Sequence, residues 1–221
     1  MWGVCMTTLE LKQVNYLVDG RTILKDLNLK LSSGDWVTVV GPSGTGKSTL
    51  LKIIAGLQDA TDGEVVLDDT STTTMPIGTV RQQISYATQS AQLFGETVRD
   101  NLDFPFLVRQ ETVNEAAQRD GLVKMGLPES YLDKAVSELS GGERQRIGVL
   151  RNLLFPPKVL LLDEISTGLD SETKQAIWRA IHALHDREKN IVLSVTHDEQ
   201  EIAEAQTVLT LHEGKGVLTH E

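Results

Sequence analysis

The sequence has no apolar run long enough to cross a membrane, a single cysteine, and fewer basic than acidic side chains. A membrane-spanning helix needs at least about 18 consecutive apolar residues, whereas stretches such as Val159–Leu162 have the length of a strand. The lone Cys5 excludes an internal disulfide. With 21 Lys and Arg against 31 Asp and Glu, the formal net charge is −10. This balance disfavours nucleic-acid binding, because neutralising phosphates requires clustered basic side chains.

The N-terminal stretch Met1–Met6 also lacks the basic start and apolar core of a secretory signal, so we expect a cytoplasmic protein. What is present suits a folded domain. The chain has 221 residues, of which 40% are hydrophobic. A chain of this size buries roughly 70% of the surface that its unfolded form exposes. The sequence therefore predicts one globular domain with a substantial apolar core.

The apolar periodicity changes along the chain and indicates an α/β fold. Alternating leucines within 9–14 and 27–31 predict an antiparallel N-terminal sheet. Three later stretches, Trp36–Val40, Val159–Leu162 and Ile191–Val195, are apolar nearly throughout and alternate with helices, which is typical of a parallel sheet covered on both faces. Between roughly 97 and 138 helical spacing takes over. The apolar residues predicted on one side there are Val113, Ala116, Ala117, Leu122, Val123 and Met125.

The strongest motif follows the first of these apolar strands and opens a helix. It has the pattern Gly, four residues, then Gly-Lys-Ser, in which backbone N–H groups and a helix N-terminus hold phosphates. Lys47 is expected to reach the β- and γ-phosphates, and the Ser48 hydroxyl is suited to ligate Mg²⁺. We therefore predict a nucleoside triphosphate site. Its members are Gly41, Pro42, Ser43, Gly44, Thr45, Gly46, Lys47, Ser48 and Thr49.

Polar residues follow two other apolar strands. Asp163 and Glu164 end the strand that begins at Val159, and His197 lies just beyond Val195. Ligands of α/β sheets bind beyond the carboxyl ends of the strands, so these side chains are expected to face the phosphate loop. Asp163 suits Mg²⁺, Glu164 suits the orientation of an attacking water, and His197 suits contact with the γ-phosphate.

A second possible phosphate cradle lies at 139–146, where a serine and two glycines precede a helix. One nucleotide at one phosphate loop has no use for two cradles. A dimer in which each chain presents this turn to the nucleotide of its partner removes the redundancy. The turn consists of Leu139, Ser140, Gly141, Gly142 and Glu143.

In combination, these segments resemble the nucleotide-binding subunits of ATP-binding cassette (ABC) transporters. The signature of that family reads Leu-Ser-Gly-Gly-Gln or a close variant, and here Glu143 takes the last place. The resemblance covers essentially the whole chain. It implies a P-loop NTPase cassette with a parallel-sheet core, a small antiparallel β-subdomain and an inserted α-helical subdomain at roughly 97–138. Residues 1–221 then form a single nucleotide-binding domain.

The resemblance also implies roles for residues that mean little by themselves. It implies that Tyr16 stacks on adenine, although packing within the small sheet is an alternative, and that Gln89 senses Mg²⁺ and the attacking water. In Thr167–Asp170, which matches a loop usually written Ser-Ala-Leu-Asp, Asp170 is expected at the dimer interface. The implied catalytic residues are Glu164, His197 and Gln89, and the implied metal ligands are Ser48, Gln89 and Asp163.

These features together predict an ATPase that uses ATP and Mg²⁺ and energises a separate membrane protein. The expected partners are an integral membrane permease and, on ATP binding, a second copy of the chain, with no nucleic acid. The expected location is peripheral, at the cytoplasmic side of the inner (cell) membrane.

Shorter segments are similar to the branch of bacterial iron-exporter ATPases and imply iron export. The alternatives are an amino-acid, lipoprotein or drug transporter. A soluble cassette ATPase acting on DNA or the ribosome is disfavoured, because Asp163 follows Gly41 too closely for an intervening coiled coil and the chain holds one cassette. The segments that carry the branch similarity include 82–86, 93–98, 100–102, 104–105, 151–153 and 163–165.

Overall fold

The computed structural model describes residues 6–220, so Cys5 lies outside the described residues. The chain divides into two compact units, of which the first takes 6–86, 158–164 and 189–220 of the described residues and the second takes 87–157 and 165–188. The predicted inserted segment 97–138 lies inside the second unit, which extends beyond it on both sides. That roughly 97–138 acts as a separate helical subdomain remains a prediction.

Helices and strands alternate along most of the chain. They are β1 (Thr8–Val18), β2 (Arg21–Ser32), β3 (Trp36–Val40), α1 (Lys47–Ile54), β4 (Asp62–Leu67), β5 (Thr70–Ser71), α2 (Ile77–Gln83), β6 (Ile84–Thr88), α3 (Val98–Leu107), α4 (Glu115–Lys124), α5 (Gly141–Leu153), β7 (Val159–Asp163), α6 (Ser171–Glu188), β8 (Ile191–Val195), α7 (Glu199–Ala203), β9 (Thr207–His212) and β10 (Lys215–His220). Short 3₁₀ helices occur at Thr72–Thr74, Glu129–Asp133 and Val136–Glu138.

The first unit contains a four-stranded antiparallel sheet in the order β2-β1-β4-β5. The alternating leucines lie opposite one another, because Leu9 pairs with Leu31 and Leu11 pairs with Leu29. All four side chains are buried. Since successive strand residues point to opposite faces, this register places one apolar face in the core. The predicted antiparallel N-terminal sheet is confirmed.

A second sheet has six strands in the order β10-β9-β3-β8-β7-β6. The pairs β3–β8, β7–β8 and β3–β9 are parallel, and β9–β10 is antiparallel. Every residue of β7 and β8 is buried, which explains why their sequences show no polar alternation. The parallel sheet and the predicted α/β class are confirmed. Its consequence for function is that β3, β7 and β8 end at the same edge.

The second unit is mostly helical, and its helices begin at side-chain caps. A capping box joins Thr97 and Asp100 at the start of α3, and Asn114 caps α4. The predicted apolar side of α4 is partly wrong. Leu122 is buried, but its neighbour Val123 is 53% exposed, because successive residues of an α-helix are about 100° apart around its axis.

The longest helix, α6, has 18 residues and an amphipathic pattern. Its buried side chains recur every three or four positions, as one face of a helix requires. They are Thr173, Ile177, Ile181 and Leu184. Among residues 6–220, no helix combines the length and the apolar character needed to cross a bilayer.

Candidate active site

The phosphate loop connects the end of β3 to the start of α1. Gly46 precedes the helix with φ 96°, and Gly41 has φ 148°. These positive φ values favour glycine. A Cβ at Gly41 would also collide with the carbonyl oxygen of Leu211, and one at Gly46 would lie 2.9 Å from Cγ2 of Ile23. The tight backbone approach therefore depends on the glycines that the motif supplies.

Lys47 is folded back over this loop and is only 6% exposed. Its Nζ donates hydrogen bonds to the carbonyl oxygens of Gly41 at 2.8 Å and Pro42 at 3.0 Å. The Thr45 hydroxyl also donates to the Pro42 carbonyl, at 2.9 Å. The first N–H groups of α1 lack intrahelical acceptors, as at any helix start. An ammonium group and free backbone donors thus converge where an anion would bind.

A cavity of about 400 Å³ lies beside the loop within the first unit. Most of the predicted nucleotide-binding residues line it, whereas Gly41, Pro42 and Thr45 are absent from its wall. Tyr16 lines the cavity and also packs against the apolar core, so its two predicted roles are compatible. Sequence reasoning missed Val18, Ile23 and Gln58, which no motif marks. The lining residues are Tyr16, Val18, Ile23, Ser43, Gly44, Gly46, Lys47, Ser48, Thr49, Gln58, Glu164 and His197.

Asp163 ends β7 with a nearly buried carboxylate. It accepts a hydrogen bond from the Ser48 hydroxyl at 3.0 Å and another from the Tyr86 hydroxyl at 2.6 Å. Burial raises the pKa of Tyr86, and the hydrogen bond to Asp163 and the negative charge of that carboxylate raise it further. Hydroxyl and carboxylate oxygens are the ligands that Mg²⁺ takes. The paired oxygens of Ser48 and Asp163 therefore fit a magnesium ion, and Tyr86 orients the carboxylate.

Glu164 and His197 lie together because β7 and β8 are parallel neighbours. Asp163 pairs with Val195, and the Glu164 N–H donates to the Val195 carbonyl at 3.0 Å. His197 Nε2 lies 3.3 Å from Glu164 Oε1. Glu164 has φ 53°, a backbone conformation that is costly for a side-chain-bearing residue and that recurs at functional sites.

The signature turn lies in the second unit, at the start of α5. The Ser140 side chain caps this helix by accepting a hydrogen bond from the Glu143 N–H at 3.3 Å, and Glu143 Oε2 accepts one from the Ser140 N–H at 2.7 Å. Tyr131 donates its hydroxyl to Glu143 Oε1 at 2.8 Å, and Lys134 Nζ lies 3.5 Å away. Glu143 thus completes a capping box. Its replacement of the usual Gln is accommodated by Tyr131 and Lys134.

The remaining predicted site residues also lie in the second unit. Gly141 is exposed, with open space where a Cβ would be, and Leu139, the first residue of the turn, is buried. Asp170 accepts hydrogen bonds from the Thr173 N–H at 2.9 Å and hydroxyl at 2.8 Å, and the bond from the N–H is the main cause of its lowered pKa. Gln89 is exposed just after β6. The contacts of Gln89 and Asp170 with nucleotide or dimer partner remain predictions.

Comparison with known proteins identifies the family. Residues 24–167 match the protein family described as ABC transporter. This match covers more than half of the chain and includes the phosphate loop, the signature turn and the Asp163–Glu164 strand end. The chain belongs to the ABC transporter family. It is an ATP-hydrolysing subunit of a transporter.

Two curated relatives and one solved structure show the range of this similarity. The chain is 46% identical over 209 residues, covering 94% of itself and 92% of the relative, to the Escherichia coli (strain K12) protein named "Probable iron export ATP-binding protein FetA". It is 35% identical over 208 residues to the Thermotoga maritima spermidine/putrescine import ATP-binding protein PotA, covering 93% of the chain but 56% of that relative. A dimeric ATP-binding cassette in a post-hydrolysis state with ADP and Pi matches with TM-score 0.85 and 27% identity, over 96% of this chain and 98% of that one.

The ionised Glu143 is expected to stabilise the fold in a pH-dependent way. The Ser140 N–H is the main cause that lowers the Glu143 pKa from 4.5 to about 2, with Tyr131 and Lys134 adding to it against burial. Because the folded-state pKa is depressed, the stabilisation is present above about 4.5 and is lost as the pH falls through about 2. Glu143→Gln should lower the melting temperature at pH 7 by about 3 °C. The difference in melting temperature between this variant and the parent should shrink as the pH falls below 4.5.

Thermal unfolding followed by circular dichroism across this pH range measures the difference. The exposed Glu138→Gln is the matched control, and its unfolding should follow that of the parent. A Glu143→Gln deficit that is independent of pH would show that the Glu143 charge does not hold the turn.

Proposed function

We propose that this chain is the ATPase subunit of an iron exporter, bound to a separate permease at the cytoplasmic side of the cell membrane. One observation carries the proposal, namely the 46% identity to the Escherichia coli iron export relative over 94% of the chain. Short segments that are similar to the iron-exporter branch, among them 82–86 and 93–98, support the same proposal. In this proposal, residues 1–221 act as one nucleotide-binding domain, with roughly 97–138 as its helical subdomain.

In the proposed reaction, the cavity beside the phosphate loop receives ATP. Tyr16 stacks on the adenine, the loop N–H groups bind the phosphates, and Lys47 leaves the Gly41 and Pro42 carbonyls to reach the β- and γ-phosphates. Ser48 and Asp163 hold Mg²⁺, with Gln89 as a further ligand. The ion neutralises phosphate charge when it is bound with ATP.

Hydrolysis in this proposal requires two chains. The Ser140 turn of one chain closes over the ATP of the other, and Asp170 lies at their interface. Glu164 orients the attacking water, since its carboxylate lines the cavity and its backbone is held against Val195. His197 stabilises the charge on the transferring phosphoryl group. Closure of the dimer then moves the permease.

Glu164→Gln should separate ATP binding from hydrolysis. The amide keeps the size of the carboxylate but cannot orient and deprotonate water in the same way, so kcat should fall by at least about 100-fold. ATP affinity should change little, because Lys47 and the loop N–H groups are unaltered. Phosphate release measures turnover, and light scattering after gel filtration with ATP and Mg²⁺ should detect an accumulated dimer.

Glu64→Gln, on the antiparallel sheet, is the control for losing a carboxylate in the same unit. It should hydrolyse ATP at the parental rate. Parental turnover by Glu164→Gln would exclude Glu164 from the water-orienting role.

The second unit exposes an aromatic surface suited to a permease helix. Phe94 and Phe104 are 43% and 45% exposed, and their rings meet edge to face with centroids 5.2 Å apart. Leu107, one turn further along α3, is 62% exposed. Phe106, also in α3, is buried and packs on Phe155 with centroids 4.8 Å apart, so it does not belong to this surface. We propose that the aromatic surface formed by Phe94 and Phe104, together with the adjacent Leu107, contacts the permease.

Replacing both exposed rings, as Phe94→Ala with Phe104→Ala, should weaken the permease complex. Aromatic side chains buried at the centre of an interface can each contribute more than about 1 kcal/mol, and for two such rings co-purification with the permease should fall at least about tenfold. Basal ATPase activity of the subunit alone should persist. The control is Val217→Ala, which removes an exposed apolar side chain from β10 in the other unit. Unchanged co-purification of the double variant would place the permease elsewhere.

The iron assignment is tested by transport. Cells that lack their own iron exporter and express this chain with its permease should lose preloaded iron faster than cells that carry Lys47→Ala. That control removes the ammonium group that the phosphates need while leaving the permease in place. Efflux of radioactive iron measures the rate, and spermidine, amino acids and drugs are assayed in parallel. ATP-dependent movement of another of these substrates without iron would reassign the transporter.

A further inference from the structure

One face of α5 contacts the segment 88–94, which contains Gln89 and ends at Phe94 of the aromatic surface. The helix begins at the Ser140 turn. Three of its residues on successive turns, Gln145, Gly148 and Arg151, contact 88–94. All of these residues belong to the second unit.

Gln145 makes the first contact with both ends of its amide. Its Nε2 donates to the Thr88 carbonyl at 2.9 Å, and its Oε1 accepts from the Ala91 N–H at 3.0 Å. The side chain is only 3% exposed, so an unpaired amide here would be costly. The two bonded backbone groups lie on either side of Gln89.

Gly148 and Arg151 continue the contact along the helix. A Cβ on Gly148 would overlap the Cβ of Ala91, so the helix and the segment are as close as a glycine allows. Arg151 donates to the Gln92 carbonyl and to Asn101 Oδ1, both at 3.1 Å, and its guanidinium lies 5.5 Å from the Phe94 ring centroid. The planar guanidinium holds its donors in a rigid fork, whereas the ammonium of a lysine is a compact group on a flexible stem and does not fix the two acceptors in this geometry.

Asn101 secures the far end of the segment. It is fully buried, its Nδ2 donates to the Phe94 carbonyl at 2.8 Å, and its Oδ1 accepts from the Phe94 N–H at 3.0 Å. The same Oδ1 accepts from Arg151. The segment is therefore bonded to α5, directly or through Asn101, from Thr88 to Phe94.

We propose that Gln145, Gly148 and Arg151 form a clamp that makes 88–94 move with the signature turn. The clamp rests on the proposed function. When Ser140 contacts ATP and the signature turn is displaced, the clamp passes the displacement to Gln89 near one end of the segment and to Phe94 at the other. Gln145 is then a positioning residue that acts through Gln89. A helix transmits such a displacement because its backbone hydrogen bonds keep it stiff over its 13 residues.

The first test measures the clamp without nucleotide. Gln145→Met keeps the length of the side chain but removes the donor and the acceptor. Hydrogen–deuterium exchange of peptides covering 88–94 should become about fivefold faster, because the Ala91 N–H loses its partner. The control is Gln118→Met in α4, which also replaces a buried glutamine of this unit, one bonded to Asp103 at 2.6 Å. It should leave exchange in 88–94 unchanged. Unchanged exchange in Gln145→Met overturns the clamp.

The second test asks whether Gln145 acts through Gln89. Gln145→Met should lower kcat about tenfold, since small displacements of a catalytic group are costly, while ATP affinity stays at the parental value. In a Gln89→Ala background the same substitution should lower kcat no further. Additive losses in the double variant would overturn the positioning role, because they indicate general damage to the fold.

The outcomes separate this inference from the proposed function. Faster exchange together with parental turnover by Gln89→Ala would remove Gln89 from catalysis and overturn its positioning by Gln145, while the clamp itself stands. If Gln145→Met does not fold, Arg151→Lys is measured in its place. It keeps the charge but loses the fork, so exchange near Gln92 should rise about fivefold. Parental exchange in that variant overturns the clamp.

Discussion

Parallel pairing of β3, β8 and β7 is the constraint on which the nucleotide site depends. Parallel strands end at the same edge of a sheet, so strand pairing itself gathers the phosphate loop after β3, the carboxylates after β7 and the histidine after β8 at that edge. The register is specific, because Asp163 lies beside Val195 and this brings Glu164 within 3.3 Å of His197. A shift of one residue in a sheet exchanges the faces to which side chains point. Both faces of β7 and β8 are buried, so burial alone does not choose the register, but the observed pairing places the site.

This arrangement reconciles an acidic chain with a polyanionic ligand. The net charge is −10, yet the loop presents backbone N–H groups, the N-terminus of α1 and the ammonium group of Lys47 to the cavity. Such donors are fixed in place and act at short range, whereas the surface carboxylates are screened by water and salt beyond about 10 Å. Lys47 is held on two carbonyl oxygens of its own loop. The attraction for phosphate is therefore local, and the overall charge of the chain is a poor guide to it.

The sequence predicted the sheets, the phosphate loop and the strand-end acids, because each leaves a local pattern of spacing or alternation. It did not predict Tyr86, which bonds Asp163, or Gln145, which bonds 88 and 91. Nothing in the neighbouring residues of either marks it, since their partners lie far along the chain and are defined only once the strands and helices have packed. The apolar side assigned to α4 failed for a related reason. Val123 is apolar, but the direction in which it points is set by its neighbours on the helix. Tyr16 illustrates a third case, in which core packing and cavity lining occur in one side chain.

The start of helix α5 explains why Glu143 is acceptable at a position where the family usually has glutamine. Under the proposed function this residue lies near a bound phosphate, where a carboxylate is unfavourable unless its charge is neutralised. Here the carboxylate oxygens of Glu143 accept hydrogen bonds from the Ser140 N–H and the Tyr131 hydroxyl, and Lys134 supplies a compensating charge. The carboxylate thereby fixes the N-terminus of α5, and the other end of the helix is bonded to Gln92 and Asn101. A helix held at both ends has little freedom to tilt independently of its contacts. In the proposed clamp, movement of the signature turn shifts 88–94 as well, since the alternative is to break the bonds of Gln145 and Arg151 to that segment.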